Sequence, residues 1–424
     1  MRKSVKVKVW FNVLLIGAVM KQTALALTLI LALFFSAIVL NPVVSVSASS
    51  TEGWIQTYGG NGTFYAESFV QASDGGFVIA GLTESGALFL KTDPNGNTEW
   101  NKTYGAADSD AANCLIATSD GGYALVSGTM LVKTDAQGNV ECSRTLAGGN
   151  EAHSLIQTSD GGYAIAGSSG DVPHGEEPYF WLVKTDEQGH NGWSKTYETV
   201  VTGGANSVIQ TLDGGFALLG SNSFNPDFLL VKTDSSGELE WSKKYEKPDW
   251  DVGSCIAQDS DDGYMLAGTL WNRSGTGNGG LIKTDPNGNM LWMKNYPSGL
   301  QLLMAATSDG GYVLCSNATL FKIDPEGNTL WTQSLGLPTD FSDAWEYSVI
   351  QTQDGGYAVL GDADISSPRA DSQEWVTNAW IAKTDPEGNI PEFPLWTIFP
   401  LLIISTFAAI IARNKRSRMR LNLG

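Results

Sequence analysis

An all-β ring of seven four-stranded sheets is the fold the sequence predicts, and three observations predict it. First, an Asp-Gly-Gly signature recurs at Asp74, Asp120, Asp160, Asp213, Asp261 (as Asp261-Asp262-Gly263), Asp309 and Asp354, each followed by a Lys-Thr-Asp-x-x-Gly signature or its variant at Lys322. Second, the intervals of 46, 40, 53, 48, 48 and 45 residues match one blade of a β-propeller. Third, the seventh copy ends at Lys383-Thr384-Asp385-Pro386-Glu387-Gly388-Asn389 with no fourth strand. Trp54-Ile55-Gln56-Thr57-Tyr58-Gly59, ahead of the first copy, matches that missing strand, as Trp100-Asn101-Lys102-Thr103-Tyr104-Gly105 shows. The N-terminal strand is therefore expected to close the last blade, leaving none of the open sheet edges that proteins avoid.

The third copy shows the elements in order. Leu155-Ile156-Gln157-Thr158 reads as a first strand, and Asp160-Gly161-Gly162 turns it, with the Asp-Gly pair expected to supply the positive φ angles of a two-residue hairpin. Tyr163 to Ala166 is the second strand and Trp181-Leu182-Val183-Lys184 the third. Asp186-Glu187-Gln188-Gly189 makes the next turn, and Trp193 to Tyr197 is the fourth strand. Short alternating apolar runs between turn residues mark a meandering antiparallel sheet, and the lack of a 3.6-residue period excludes helical solenoids.

The third-to-fourth turn with its following Trp, as in residues 284–292 and 322–331, resembles the tryptophan-bearing repeats of quinoprotein-dehydrogenase-like propellers. That likeness is to the blade alone. The adjacent cysteines and calcium site with which such enzymes hold their quinone have no counterpart here, so no redox activity and no cofactor are implied. The same turns also resemble the Asp-box hairpins of sialidase-like propellers, with one extra residue, where the hairpin is structural. Asp93-Pro94-Asn95-Gly96-Asn97 and Asp285-Pro286-Asn287-Gly288-Asn289 touch on calcium-loop chemistry but lack the further carboxylates and closing Glu of an EF-hand loop.

Both ends carry sorting features. Residues 1–48 form an expected signal peptide: basic residues without an acidic one, an apolar run from Ala24 to Leu40, and the small-residue site Val46-Ser47-Ala48. Met20 is an alternative start, leaving one lysine before the run. Residues 51–390 form the propeller. Residues 391–424 hold Pro391-Glu392-Phe393-Pro394, an apolar span from Leu395 to Ala412 long enough to cross a thin bilayer, and a basic tail of Arg413, Lys415, Arg416, Arg418 and Arg420 that is expected to stay cytoplasmic. These three parts, in this order, resemble the archaeal PEF-CTERM sorting signals. The resemblance implies processing by an archaeosortase, after a signal peptidase at the other end, and attachment to a membrane lipid on the outer cell surface.

Ten of the 26 basic residues lie in the terminal segments, while all 45 acidic ones lie between 51 and 394, so the mature domain carries a net charge of −29. Such a field repels nucleic acid and anionic lipid and attracts cations and basic partners. The four cysteines (Cys114, Cys142, Cys255, Cys315) read as small or apolar core residues; Cys142 stands where other copies have Trp. No Cys-x-x-Cys spacing occurs and the three histidines are scattered, so no zinc site is expected.

Chemistry present in every blade is architecture, and a site must come from departures. The recurring lysines (Lys91, Lys133, Lys184, Lys232, Lys283, Lys322, Lys383) are expected to pair with carboxylates, and Trp54, Trp100, Trp193, Trp241, Trp292 and Trp331 to pack blade on blade. All the signature turns fall on one face of the ring, here face two. Face one carries the long excursions Gly170–Pro178, Trp271–Gly280 and Asp362–Asn378 and the crossovers Lys247–Gly253 and Gly336–Trp345. They collect the candidate ligand-binding residues Trp250, Trp271, Trp345, Trp375, Asp171, Glu176, Glu177, Asp364 and Glu374, together with Asp251 and Asp343.

Aromatic platforms beside carboxylates suit glycan faces or cations. The expectation is a cell-surface binding or adhesion module for a glycan, a cation or another surface protein. Paired carboxylates on face one would instead suit a glycoside hydrolase, and a structural envelope component is the third reading. The last blade ends on face two near the anchor, so face one is expected to point away from the cell. Asn61, Asn101, Asn272 and Asn317 head N-x-Ser/Thr sequons and are candidate glycosylation sites.

Overall fold

Twenty-eight strands arrange themselves as seven four-stranded antiparallel sheets, so the predicted ring is the observed one. The structure, a computed structural model, describes residues 53–59, 62–104, 112–170, 178–198, 203–222, 226–245, 251–271, 277–297, 301–339, 341–366 and 375–390. Blades one to six run in simple sequence order, with first strands Phe64–Gln71, Ala112–Ala117, Glu151–Gln157, Gly203–Gln210, Asp251–Gln258 and Leu303–Ala306. Blade seven takes Phe341–Gln351, Tyr357–Ser366 and Trp375–Lys383, and its fourth strand is Trp54–Tyr58. The register pairs Trp54 with Lys383 and Tyr58 with Ala379. The first strand of blade one also touches that of blade seven, so the ring closes. The signal segment and the span at 395–412 lie outside the described residues; among those described, no helix is long and apolar enough to cross a membrane.

The core is divided among the seams. Seven apolar clusters each draw on two consecutive blades, as where Leu182 and Tyr197 of blade three meet Val208 and Leu218 of blade four. A blade buries one sheet face against each neighbour, and this two-sided burial makes its second and third strands almost wholly apolar. In six of the seven seams a fourth-strand Trp covers the glycine of the next blade's Asp-x-x-Gly turn. A Cβ on Gly138, Gly237, Gly288 or Gly327 would meet the ring of Trp100, Trp193, Trp241 or Trp292 at 2.5–2.7 Å, and Trp54 and Trp331 lie on Gly96 and Gly388 in the same way. Five of these seams add a tyrosine, such as Tyr245, whose hydroxyl donates to the Gly288 carbonyl at 2.8 Å.

The Asp-Gly-Gly hairpin corrects one expectation. Thr158 N donates to Gly162 O and Gly161 N to Thr158 O, both at 2.9 Å, which is a type I turn followed by a one-residue bulge, not a two-residue hairpin. Only the first glycine, Gly161 at φ 87°, takes the left-handed conformation. Asp160 is needed for its carboxylate, which accepts the Gly162 N–H at 3.0 Å and the Thr158 hydroxyl at 2.6 Å.

All seven recurring lysines pair with the aspartate of their own hairpin, from Lys91 with Asp74 at 2.8 Å to Lys383 with Asp354 at 2.6 Å. These contacts bring both signature turns of each blade to the same end of the ring. The Asp-x-x-Gly loops are closed by their own carboxylates: Asp285 Oδ1 accepts the N–H groups of Asn287 and Asn289 at 2.9 and 2.8 Å.

Candidate functional site

Face two is uniform down to its hydrogen bonds. Five first strands end in Gln, whose side-chain oxygen accepts a backbone N–H from the preceding blade's hairpin: Gln157 from Ser119, Gln210 from Ser159, Gln258 from Leu212, Gln351 from Ser308 and Gln71 from Gln353. Such repetition is architecture. Apart from the blade two to blade three seam, where Cys142 replaces the Trp, the departures lie toward face one.

Six of the seven first strands carry a bulge at the same height, between Ala66 and Ser68, Ala112 and Cys114, Ala152 and Ser154, Ala205 and Ser207, Gly253 and Cys255, and Glu346 and Ser348. A bulge re-aims one side chain. The re-aimed residues are Glu67, Asn113, His153, Asn206, Ser254 and Tyr347. Three of them lace blades two to five together: Asn113 Nδ2 donates to Ala152 O at 2.8 Å, Asn206 Nδ2 to Gly253 O at 2.9 Å, and His153 Nδ1 meets Ala205 O at 3.2 Å.

Glu67 and Tyr347, on either side of the blade seven to blade one seam, do something else. Tyr347 donates its hydroxyl to Asp362 Oδ2 at 3.0 Å, and Asp364, two residues on, accepts the Thr377 hydroxyl at 2.6 Å. Burial is the main force on all three ionisable groups here. It pushes the Asp362 carboxyl up to about 6, with the Tyr347 hydrogen bond opposing and the Asp364 charge adding. It pushes Glu67 up to about 7, and the neighbouring Asp362 adds to that. The two carboxyls titrate as a coupled pair, and a charge on Asp362 favours the protonated form of Glu67. Burial also raises the Tyr347 phenol, with Asp362 and Glu67 adding. Trp345, opposite Asp362 across the same two strands, is half exposed.

The residues expected from sequence fall in three groups. Trp345 and Asp364 join this cluster, but both stand on strands of an extended blade-seven hairpin, because pairing runs on to Phe341 and Ile365 through what reads as a loop. Trp271 likewise ends a strand, in blade five; its N–H donates to buried Asp251 at 3.2 Å, and it belongs to a different blade from the cluster. Asp171, Glu176, Glu177, Trp250 and Glu374 lie outside the described residues, as do the side chains of Trp375 and Asp343. Pro391, Glu392, Phe393 and Pro394 and the sequons at Asn61 and Asn272 lie outside them too. Asn101 is exposed on the fourth strand of blade one, and Asn317 on a two-residue turn of blade six. Among the described residues no three of His, Cys, Asp and Glu converge as metal ligands.

Glu67, Tyr347 and Asp362 escape a sequence reading that follows insertions. The signal for Glu67 and Tyr347 is the position just before the recurring Ser or Cys, where Glu and Tyr replace Asn, His or Ser; Asp362 opens the Asp362–Asn378 excursion.

Fold and site together define a seven-bladed β-propeller whose blades repeat closely on face two and differ most toward face one. It is similar to a streptogramin B lyase structure (TM-score 0.52, 11% identity, 79% of this chain and 99% of that one) and to the WD40 β-propeller domain of Doa1 (0.52, 11%, 77% and 97%). The Neurospora crassa Pan2 WD40 domain is a third such likeness (0.53, 9%, 76% and 89%). No family model matches the chain, and no curated protein does.

Proposed function

We propose that the chain is an exported cell-surface propeller, held to the membrane by its C-terminal segment or by a lipid that replaces it, and that it binds a glycan at the face-one end of the blade seven to blade one seam. The observation that carries this reading is the pairing of Tyr347 with Asp362, beside Glu67, with half-exposed Trp345 opposite Asp362 on the neighbouring strand. A carboxyl group that keeps a proton near neutrality, as Glu67 does, both donates and accepts hydrogen bonds, and so does a tyrosine hydroxyl. An open indole face offers the stacking surface a sugar ring takes. The uniform face two, where the last blade ends, is the side from which the anchor departs, so face one is presented outward.

A second reading rests on the same acids. Glu67, raised to about 7 and coupled to Asp362, has the poise of a general acid beside a carboxylate, the pairing that glycoside hydrolysis uses. The structural likeness to a lyase is compatible with catalysis on such a ring but shows the fold alone.

Glycan-array binding of the mature domain, with Trp345→Ala and Tyr347→Phe as variants, tests the proposal. At least tenfold weaker binding in both supports it, and unchanged binding in both overturns the site. Turnover of a bound glycan that disappears in Glu67→Gln favours hydrolysis over plain binding. Mass spectrometry of the mature C-terminus tests the anchor: an intact Arg420 in surface protein rules out sortase processing.

A further inference from the structure

The seam between blades two and three departs from the other six. Where they place a Trp over the next blade's turn glycine, this seam has Cys142, and Leu146 stands where five of them have the hydrogen-bonding Tyr. Gly189, the glycine in question, is covered instead by the stem of Arg144 and by Leu131. Cys142 is not the core residue that its small size suggests. It is half-buried, and its thiol reaches only Gln188 O, at 3.5 Å.

Arg144 and Leu131 cover Gly189 but do not close the seam. A hollow of about 430 Å³ opens at this seam, lined by Cys142, Tyr163, Asp120, Lys133, Arg144 and Glu187 among others. That volume falls in the ~300–1,000 Å³ range of small-molecule sites. Tyr163 supplies an independent sign of a ligand: it is 1% exposed, lines the hollow, and its buried hydroxyl has no hydrogen-bond partner. In four other seams the residue equivalent to Tyr163 receives the Trp edge-on, as Phe77, Phe216, Tyr264 and Tyr357 do at 5.6–6.0 Å. Tyr163 has its ring in place and no Trp to meet it.

We infer that this hollow binds a small planar aromatic amine, an indole-sized ring bearing an ammonium group. The ring packs against Tyr163 and the Arg144 stem, at the seam where the other blades carry a tryptophan. The ammonium is drawn by the lining's carboxylates. Lys133 is already committed to Asp120 and Glu141, and the lining's three carboxylates, Asp120, Glu141 and Glu187, outnumber its two cations, Lys133 and Arg144. The site lies on face two and the outer part of the ring, away from Tyr347 and Asp362, so either site can fail without the other.

The test is ligand-detected fluorine NMR of the mature domain with 5-fluorotryptamine, competed with tryptamine, indole and indole-3-acetate. The expected result is saturable one-to-one binding with Kd on the order of 1 mM or tighter, displaced by tryptamine and indole and not by the acetate. Cys142→Trp, which restores the common seam, should abolish binding and leave the fold intact or more heat-stable. Tyr163→Phe, a residue that blades one and four carry at this position, should weaken binding at least threefold, which keeps the test decisive should Cys142→Trp misfold. No saturable binding by the wild type, or equal binding by both variants, overturns the proposal.

Discussion

The side-chain oxygen of Gln71 accepts the backbone N–H of Gln353 at 2.8 Å, joining the first blade to the seventh. The Gln71 amide also donates to Gly75 O at 3.0 Å, so one side chain ties its own hairpin to its neighbour's. Gln71→Ala should therefore lower stability by about 1–2 kcal/mol, two modest hydrogen bonds. Blade two has Ala117 at this position, and Ala117→Gln should raise stability by about 0.5–1 kcal/mol. Denaturant unfolding of the mature domain measures both, and a destabilised Ala117→Gln would refute the bridge as a transferable device.

Trp241 lies over Gly288 and edge-on to Tyr264 at 6.0 Å. Trp241→Ala should cost about 3–5 kcal/mol, the usual range for deleting a well-packed Trp. Gly288→Ala should also destabilise, by more than 1 kcal/mol, since φ is 73° and the new methyl group would sit 2.6 Å from the indole. A thermal melt of either variant at wild-type temperature would contradict the seam packing.

Among the described residues, two occupy left-handed backbone without being glycine or asparagine: Asp262 at φ 62° and Ala318 at φ 51°. Asp262 replaces the first glycine of its Asp-Gly-Gly hairpin. Ala318 sits second in a two-residue turn whose N–H is accepted by Glu346 at 2.6 Å. Asp262→Gly and Ala318→Gly should each stabilise by about 1 kcal/mol. Calorimetry reads the gain directly.

Stability should peak in mild acid. Glu67 and Asp362 hold protons more tightly folded than unfolded, so their contribution is complete below about pH 4 and is lost as pH rises through about 6 and 7. Asp120, Asp213 and Asp309 act the other way. Burial alone would raise them, but hydrogen bonds from their lysine and threonine partners prevail and hold each at about 2, so their contribution is present above pH 4 and lost as pH falls toward 2. Glu67→Gln should remove much of the fall between pH 5 and pH 8, on the order of 1 kcal/mol after solvent screening. Urea midpoints across that range would reveal an unchanged slope if the acid pair is not responsible.

The ring, the seam tryptophans and the borrowed strand were legible because each is written several times over, so that every copy annotates the rest. What could not be read is what depends on hydrogen-bond register. Asp364 and Trp345 look like loop residues until the pairing of Phe341 with Ile365 extends the strands beneath them. Glu67 and Tyr347 acquire their direction from bulges that leave no mark in residue type. Cys142 was visible as an exception, yet its meaning lies in the volume around it, which a one-letter comparison does not contain.

The fourth strand of the last blade comes from the other end of the chain, and this sets the order of events in folding. Of the propeller's strands Trp54–Tyr58 is made first, and it must wait for Trp375–Lys383, nearly the last part of the propeller to be made. Six blades can form as neighbours in sequence, each with local pairings. The seventh cannot, and closing so large a loop is entropically slow. A chain stopped before residue 375 should keep its early blades but hold an open, sticky edge, and the complete chain should show one late, slow phase belonging to that single clasp.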